Sequence, residues 1–160
     1  MFIIDSNILI EAKNFHFPLA PTHPFWDWLV MLGKKGEIKI PEEVYKELEA
    51  GNDNLPEWLQ RHKSLFFLSK NNAYSELPSV LESYTALYGS EISETELEVM
   101  KADPWVIAHA KALGGGVICN ERIKAKVLKS VKEVKVPSVC KMLNIECLSL
   151  AQFLWKMKNE

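Results

Sequence analysis

Short apolar runs that end on an acid recur along this chain, and between them the apolar residues fall at helical spacing. Phe2-Ile3-Ile4 runs into Asp5, Ser6 and Asn7. A short apolar run bounded by polar residues predicts a parallel strand buried on both faces. Asp5 then stands at the strand's end, and Ser6 and Asn7 suit the start of a following helix. Gly116-Val117-Ile118-Cys119-Asn120 repeats the pattern ahead of Glu121. Further strands are expected at 37–40, 65–68, 134–136 and 146–148. Helical spacing fills the intervals at 8–12, 25–35, 41–50, 53–62, 73–88, 93–100 and 103–113, with a short helix up to 143 and a C-terminal one from 149. Strands alternating with helices predict an α/β fold in three layers, a parallel sheet flanked by helices. One domain over 1–160 is expected, with a longer helical insertion around 52–92 suited to a clamp or a partner surface.

Two of these helices carry acids at informative positions. Pro41 is tolerated at a helix start and opens a helix that Gly51 closes. On that helical wheel Val44, Tyr45 and Leu48 share a face, and Glu47 lies about 60° from Val44, at the edge of the core. Asp103-Pro104 precedes a segment apolar on nearly every side. Asp103 is therefore expected as the N-cap at the mouth of a buried helix, with Pro104 in its first turn. Trp26 and Trp28 are expected to pack against the sheet rather than to stack bases.

Composition bounds the rest. At 160 residues, 48% hydrophobic and 25% charged, the chain has ordinary globular content. It has no apolar run long enough for a membrane helix, and no membrane partner is expected. The residues before Ile10 lack the basic start of a secretory signal. Cys119, Cys140 and Cys147 form no CxxC pair, which favours reduced thiols and a cytoplasmic setting over disulfides or a zinc site. The formal charge of −2 hides an asymmetry: residues 1–100 hold 8 Lys/Arg against 16 Asp/Glu, and residues 101–160 hold 11 against 5. Arg122, Lys124, Lys126, Lys129, Lys132 and Lys135 form a stripe, expected on a helix, that is able to follow a phosphate backbone. The four histidines show no ligand spacing.

Asp5 and Glu121 follow strands, Asp103 opens a buried helix and Glu47 borders an apolar face. Four such acids at one sheet edge repel one another: two charges 4 Å apart cost roughly 4 kcal/mol at an effective dielectric near 20. Such a cluster raises its pKa values or holds a cation, and oxygen-only donors favour Mg²⁺ or Mn²⁺. Acid-bound metal at a cleft edge can activate water and clamp phosphodiester oxygens.

In order and spacing these residues resemble the PIN domain, a metal-dependent ribonuclease family. Phe2-Ile3-Ile4-Asp5-Ser6-Asn7 matches its opening strand and first acid. Pro41-Glu42-Glu43-Val44-Tyr45-Lys46-Glu47-Leu48 is similar to the second motif, and Asp103 with Val106-Ile107-Ala108-His109-Ala110 to the third. Val117-Ile118-Cys119-Asn120-Glu121 takes the fourth position, where the family usually reads Thr-x-Asp. Together with Trp26-Asp27-Trp28, Gly51-Asn52-Asp53-Asn54-Leu55 and Val136-Pro137-Ser138-Val139-Cys140, the pattern resembles a PIN branch long carried as a domain of unknown function. The resemblance implies a metal-dependent endoribonuclease that cleaves single-stranded RNA. Asp5, Glu47 and Asp103 would bind one or two Mg²⁺ or Mn²⁺ ions, with Glu121 assisting, and Asp53 is a reserve acid. Ser6 and Asn7 would orient Asp5 or the scissile phosphate, and Arg122, Lys124, Lys126 and Lys129 would guide the RNA. Many members are toxins, which implies a cognate antitoxin as partner and leaves a homodimer open. The changed fourth motif supplies an alternative, a PIN-like RNA- or protein-binding module without catalysis. Phe2 to Asp5 also resembles the opening of haloacid-dehalogenase-like phosphatases, but that family places an aspartate where this chain has Asn7.

Overall fold

The structure is a computed structural model that describes residues 1–19, 23–123 and 128–159. Five short strands form one parallel sheet: β1 (Phe2–Ile4), β2 (Ile38–Pro41), β3 (Phe67–Leu68), β4 (Gly116–Ile118) and β5 (Cys147–Leu148). Their order is β3-β2-β1-β4-β5. Central β1 is apolar at every position because it is buried on both faces. Phe2, Ile3 and Ile4 stand beside Gly116, Val117 and Ile118 of β4, while Phe2 and Ile3 stand beside Ile38 and Lys39 of β2. Gly116 is required by this register: a Cβ there would lie 2.5 Å from Phe2 Cε1 and 3.0 Å from the Glu146 carbonyl oxygen.

Among the described residues ten α-helices join and cover these strands: α1 (Ser6–Glu11), α2 (Pro24–Lys34), α3 (Glu42–Glu49), α4 (Leu55–Arg61), α5 (Lys63–Phe66), α6 (Leu77–Tyr88), α7 (Glu94–Met100), α8 (Asp103–Ala112), α9 (Val136–Met142) and α10 (Leu150–Asn159). The apolar helix α8 packs on β1, β2 and β4, and α6 and α9 pack against α8. The opposite layer contains α2 and α10, joined where Phe153 meets both Phe2 and Trp28 at ring-centroid distances of 5.2 and 5.8 Å. The result is a three-layer α/β/α arrangement. Trp26 is buried against Trp58, 4.9 Å between centroids, and so serves packing as expected. Among the described residues no helix is long and apolar enough to cross a membrane.

Local chemistry explains several helix limits. Ser93 and Glu96 form a capping box at α7. Gly89, at φ +86°, ends α6 in a left-handed conformation that a glycine adopts without steric cost. The N-cap of α4 is Asn54, and the preceding Asp53 carboxylate accepts from Leu55 N–H at 2.9 Å while also pairing with Lys13. Residues 52–92 supply β3 to the sheet and α6 to the layer over α8, and so help build the core itself.

Three expectations differ from the structure. Residues 134–136 form no strand; Val136 is the first residue of α9, and Pro137 fits its first turn. The described part of the basic stretch is not an α-helix but a single 3₁₀ turn, Val131–Glu133. Asp103 is not an N-cap: it lies inside the first turn of α8, one residue after Ala102. The turn between α7 and α8 falls instead on Lys101, whose φ of 51° is uncommon for a residue with a side chain.

Candidate active site

The strand order reverses between β1 and β4, and in open parallel sheets the crevice for ligands forms where order reverses, beyond the carboxyl ends. Asp5 follows β1 at that point. Its N–H donates to the Ile118 carbonyl at 3.1 Å, which locks it beside the end of β4. The side chain is wholly buried, and Ser6 Oγ lies 3.5 Å from Oδ1. Oδ2 is buried without a hydrogen-bond partner among the described residues. Burial, followed by repulsion from Glu121 and Glu47, pushes the carboxyl up to about 7, against the weaker opposing effects of the Ser6 N–H and the Cys119 thiol.

Glu47 reaches the same place from α3. Ser6 Oγ donates to its Oε2 at 2.6 Å and Ala102 N–H donates to its Oε1 at 3.0 Å. One carboxylate therefore ties the start of α1 to the start of α8. Asp103, half-buried, is raised to about 8 by burial first and then by Asp5, Glu121 and Glu47, with Lys135 opposing. Glu121 follows β4, and its two oxygens are engaged: Lys135 Nζ donates to Oε1 at 3.0 Å and Val136 N–H to Oε2 at 3.1 Å.

A cleft of about 360 Å³ opens over this cluster. Ser6, Asn7, Glu47, Asp103 and Glu121 line it, with Asp5 buried beneath, so the four acids and both polar residues singled out in the sequence meet at one edge of the sheet. Lys101, Lys132 and Lys135 line the same cleft. Arg122 and Lys129 are exposed but do not line the cleft, and Lys124 and Lys126 lie outside the described residues.

Two polar residues of the lining, Lys101 and Tyr84, are not among the candidates that the sequence offers. Lys101 is carried by the strained turn before α8. Tyr84 sits on the buried face of α6, 1% exposed, with its hydroxyl unpartnered among the described residues. Burial and then the Asp103 charge hold that phenol well above its usual range. Tyr84 follows the buried Val80 by four residues and so shares its helix face, but spacing says nothing about where a hydroxyl points. His109, by contrast, is buried within α8 rather than at the cleft, and burial lowers it to about 4.

The donors are oxygens only, and hard divalent cations are the ions such a set takes. The unpartnered Asp5 Oδ2 and the upward-shifted Asp5 and Asp103 match a place where positive charge is missing. Among the described residues no three or more His, Cys, Asp or Glu side chains are already drawn together as a metal cage. Glu47 and Glu121 are turned toward protein donors instead. The residues thus fit a hard cation in donor chemistry.

A family model described as "Domain of unknown function (DUF4411)" matches residues 2–160, and the chain belongs to that family. No curated protein matches the chain, and no solved structure does.

Proposed function

We propose that the protein is a divalent-metal-dependent endoribonuclease of the PIN type that hydrolyses single-stranded RNA, acting as the toxin of a toxin–antitoxin pair. The observation that carries this reading is the meeting of Asp5, Glu47, Asp103 and Glu121 at the sheet's reversal point, with Asp5 and Asp103 both raised. Asp5, Asp103 and Glu47 would hold Mg²⁺ or Mn²⁺, with Glu121 assisting. A bound ion would supply Lewis-acid activation of water and charge stabilisation at phosphorus. Ser6 fixes the Glu47 carboxylate through its 2.6 Å hydrogen bond. Asp103, at the cleft surface and raised to about 8, can hold or release a proton near neutrality. Lys101 and Lys132, exposed at the cleft, would offer positive charge to the RNA backbone.

The test is cleavage of single-stranded RNA with Mn²⁺, with Mg²⁺ and with chelator. Metal-dependent cleavage that drops to background in Asp5→Asn/Asp103→Asn is expected; undiminished cleavage by that double variant rejects the assignment. A second reading, an RNA- or protein-binding module without catalysis, is favoured by the engagement of both Glu121 oxygens with Lys135 and Val136. It requires an unmodified chain without turnover and activity gained in Glu121→Asp.

A further inference from the structure

Tyr84 lines the carboxylate cleft, and its buried hydroxyl has no protein partner among the described residues. The ring is 1% exposed on the buried face of α6. A phenylalanine would fill almost the same volume without burying a polar atom, so a lone hydroxyl here costs desolvation with no bond in return. Buried polar atoms left without partners are uncommon and point to a bond made in another state of the molecule.

The other donors around the cleft are committed or peripheral. Ser6 spends its hydroxyl hydrogen on Glu47, and Lys135 is paired with Glu121. Asn7, Lys101 and Lys132 are exposed. The remaining lining groups Glu47, Asp103 and Glu121 are acceptors when ionised. A ligand with anionic oxygens entering this cleft would meet repulsion from the acids and, in Tyr84, a rigidly packed neutral donor that needs no ionisable partner.

We propose that the Tyr84 hydroxyl donates a hydrogen bond to a non-bridging phosphate oxygen of a phosphodiester seated in the cleft. This makes Tyr84 a substrate-contacting residue contributed by α6, and it rests on reading the cleft as a phosphodiester site. The bond forms without any covalent step: the phenol keeps its proton and shares it with the oxyanion.

Tyr84→Phe tests the inference because it removes the hydroxyl and keeps the ring. Three quantities are read: the Tm without ligand, the Kd for a labelled single-stranded oligoribonucleotide, and KM and kcat for RNA cleavage with Mn²⁺. Binding is measured in chelator and in Ca²⁺, a hard ion suited to oxygen donors with looser geometry. The expected result is a Tm equal to or above that of the unmodified protein, with Kd and KM each raised about tenfold. Weakened binding in a chain that never cleaves RNA would remove the nuclease reading and leave the Tyr84 contact standing. Metal-dependent cleavage with Kd and KM changed less than about twofold would overturn the contact and leave the nuclease reading intact. A lowered Tm with unchanged Kd would assign the hydroxyl to an internal bond, and a displaced pH profile with unchanged Kd would assign it to Asp103; either overturns the proposal. Failure of the unmodified protein to bind the oligonucleotide in both conditions overturns it as well.

Discussion

At the scale of single residues, Asp5 carries opposed demands. Its backbone belongs to the sheet, through Ile118, while its carboxyl is buried among other acids. The folded protein holds the Asp5 proton up to about pH 7 and that of Asp103 up to about pH 8, whereas both have a reference value of 3.8. The folded state therefore binds more protons than the unfolded chain between about pH 4 and 8, and stability falls as pH rises through that window. His109 acts in the opposite sense: lowered from 6.5 to about 4, it adds stability that is present above about pH 6.5 and lost as pH falls through 4. In chelator, thermal melts across pH 5 to 9 should show Tm declining on the alkaline side. Asp5→Asn should flatten that decline and raise Tm at pH 8 by several degrees, since it removes a buried charge. An unchanged pH slope in Asp5→Asn would mean that the acids do not interact.

At the scale of elements, the site depends on how closely β1 and β4 can approach. Gly116 lets the Phe2 ring lie over β4, where Phe2 also meets Phe153 of α10. Gly116→Ala forces a 2.5 Å contact with that ring and a 3.0 Å contact with a backbone oxygen. Overpacking of this kind costs about 1–3 kcal/mol, to be read as a lower urea midpoint with unchanged m-value. The same change should loosen the Asp5–Glu121 juxtaposition and with it any metal affinity. A midpoint equal to that of the unmodified protein would show that the strands can separate at no cost.

The parts of this arrangement that could be read in the sequence are those fixed by local pattern. The runs at Phe2–Ile4 and Gly116–Ile118 are apolar because buried parallel strands leave no polar face, and both became strands. Glu47 was placed at the core's edge by helical geometry alone, and Val44, Tyr45 and Leu48 are buried as that geometry required. Residues before proline avoid helical conformations, which predicts Asp103 as a cap; the chain instead begins the helix at Asp103, with Pro104 in its second position. Val136 looked like a strand residue, yet its N–H is held by Glu121 and it opens a helix. Tyr84 could not be recognised, because the missing partner of its hydroxyl is a property of the assembled cleft.

At the scale of the whole molecule, the fold gathers charge of one sign where the sheet reverses and lines the same cleft with lysines. Asp5, Glu47, Asp103 and Glu121 come from four separate stretches of the chain, and none of them requires the others for its local structure. Burial and convergence raise two of these carboxyls to about 7 and 8 and leave one Asp5 oxygen without a partner among the described residues. A hard divalent cation would relieve both conditions and displace protons on binding. Calorimetric titration of the purified protein with Mn²⁺ at pH 7, repeated in buffers of different ionisation enthalpy, tests this most directly. The account predicts saturable binding with net proton release, lost in Asp5→Asn/Asp103→Asn. Absence of binding at millimolar Mn²⁺, or binding that the double variant retains in full, would contradict it.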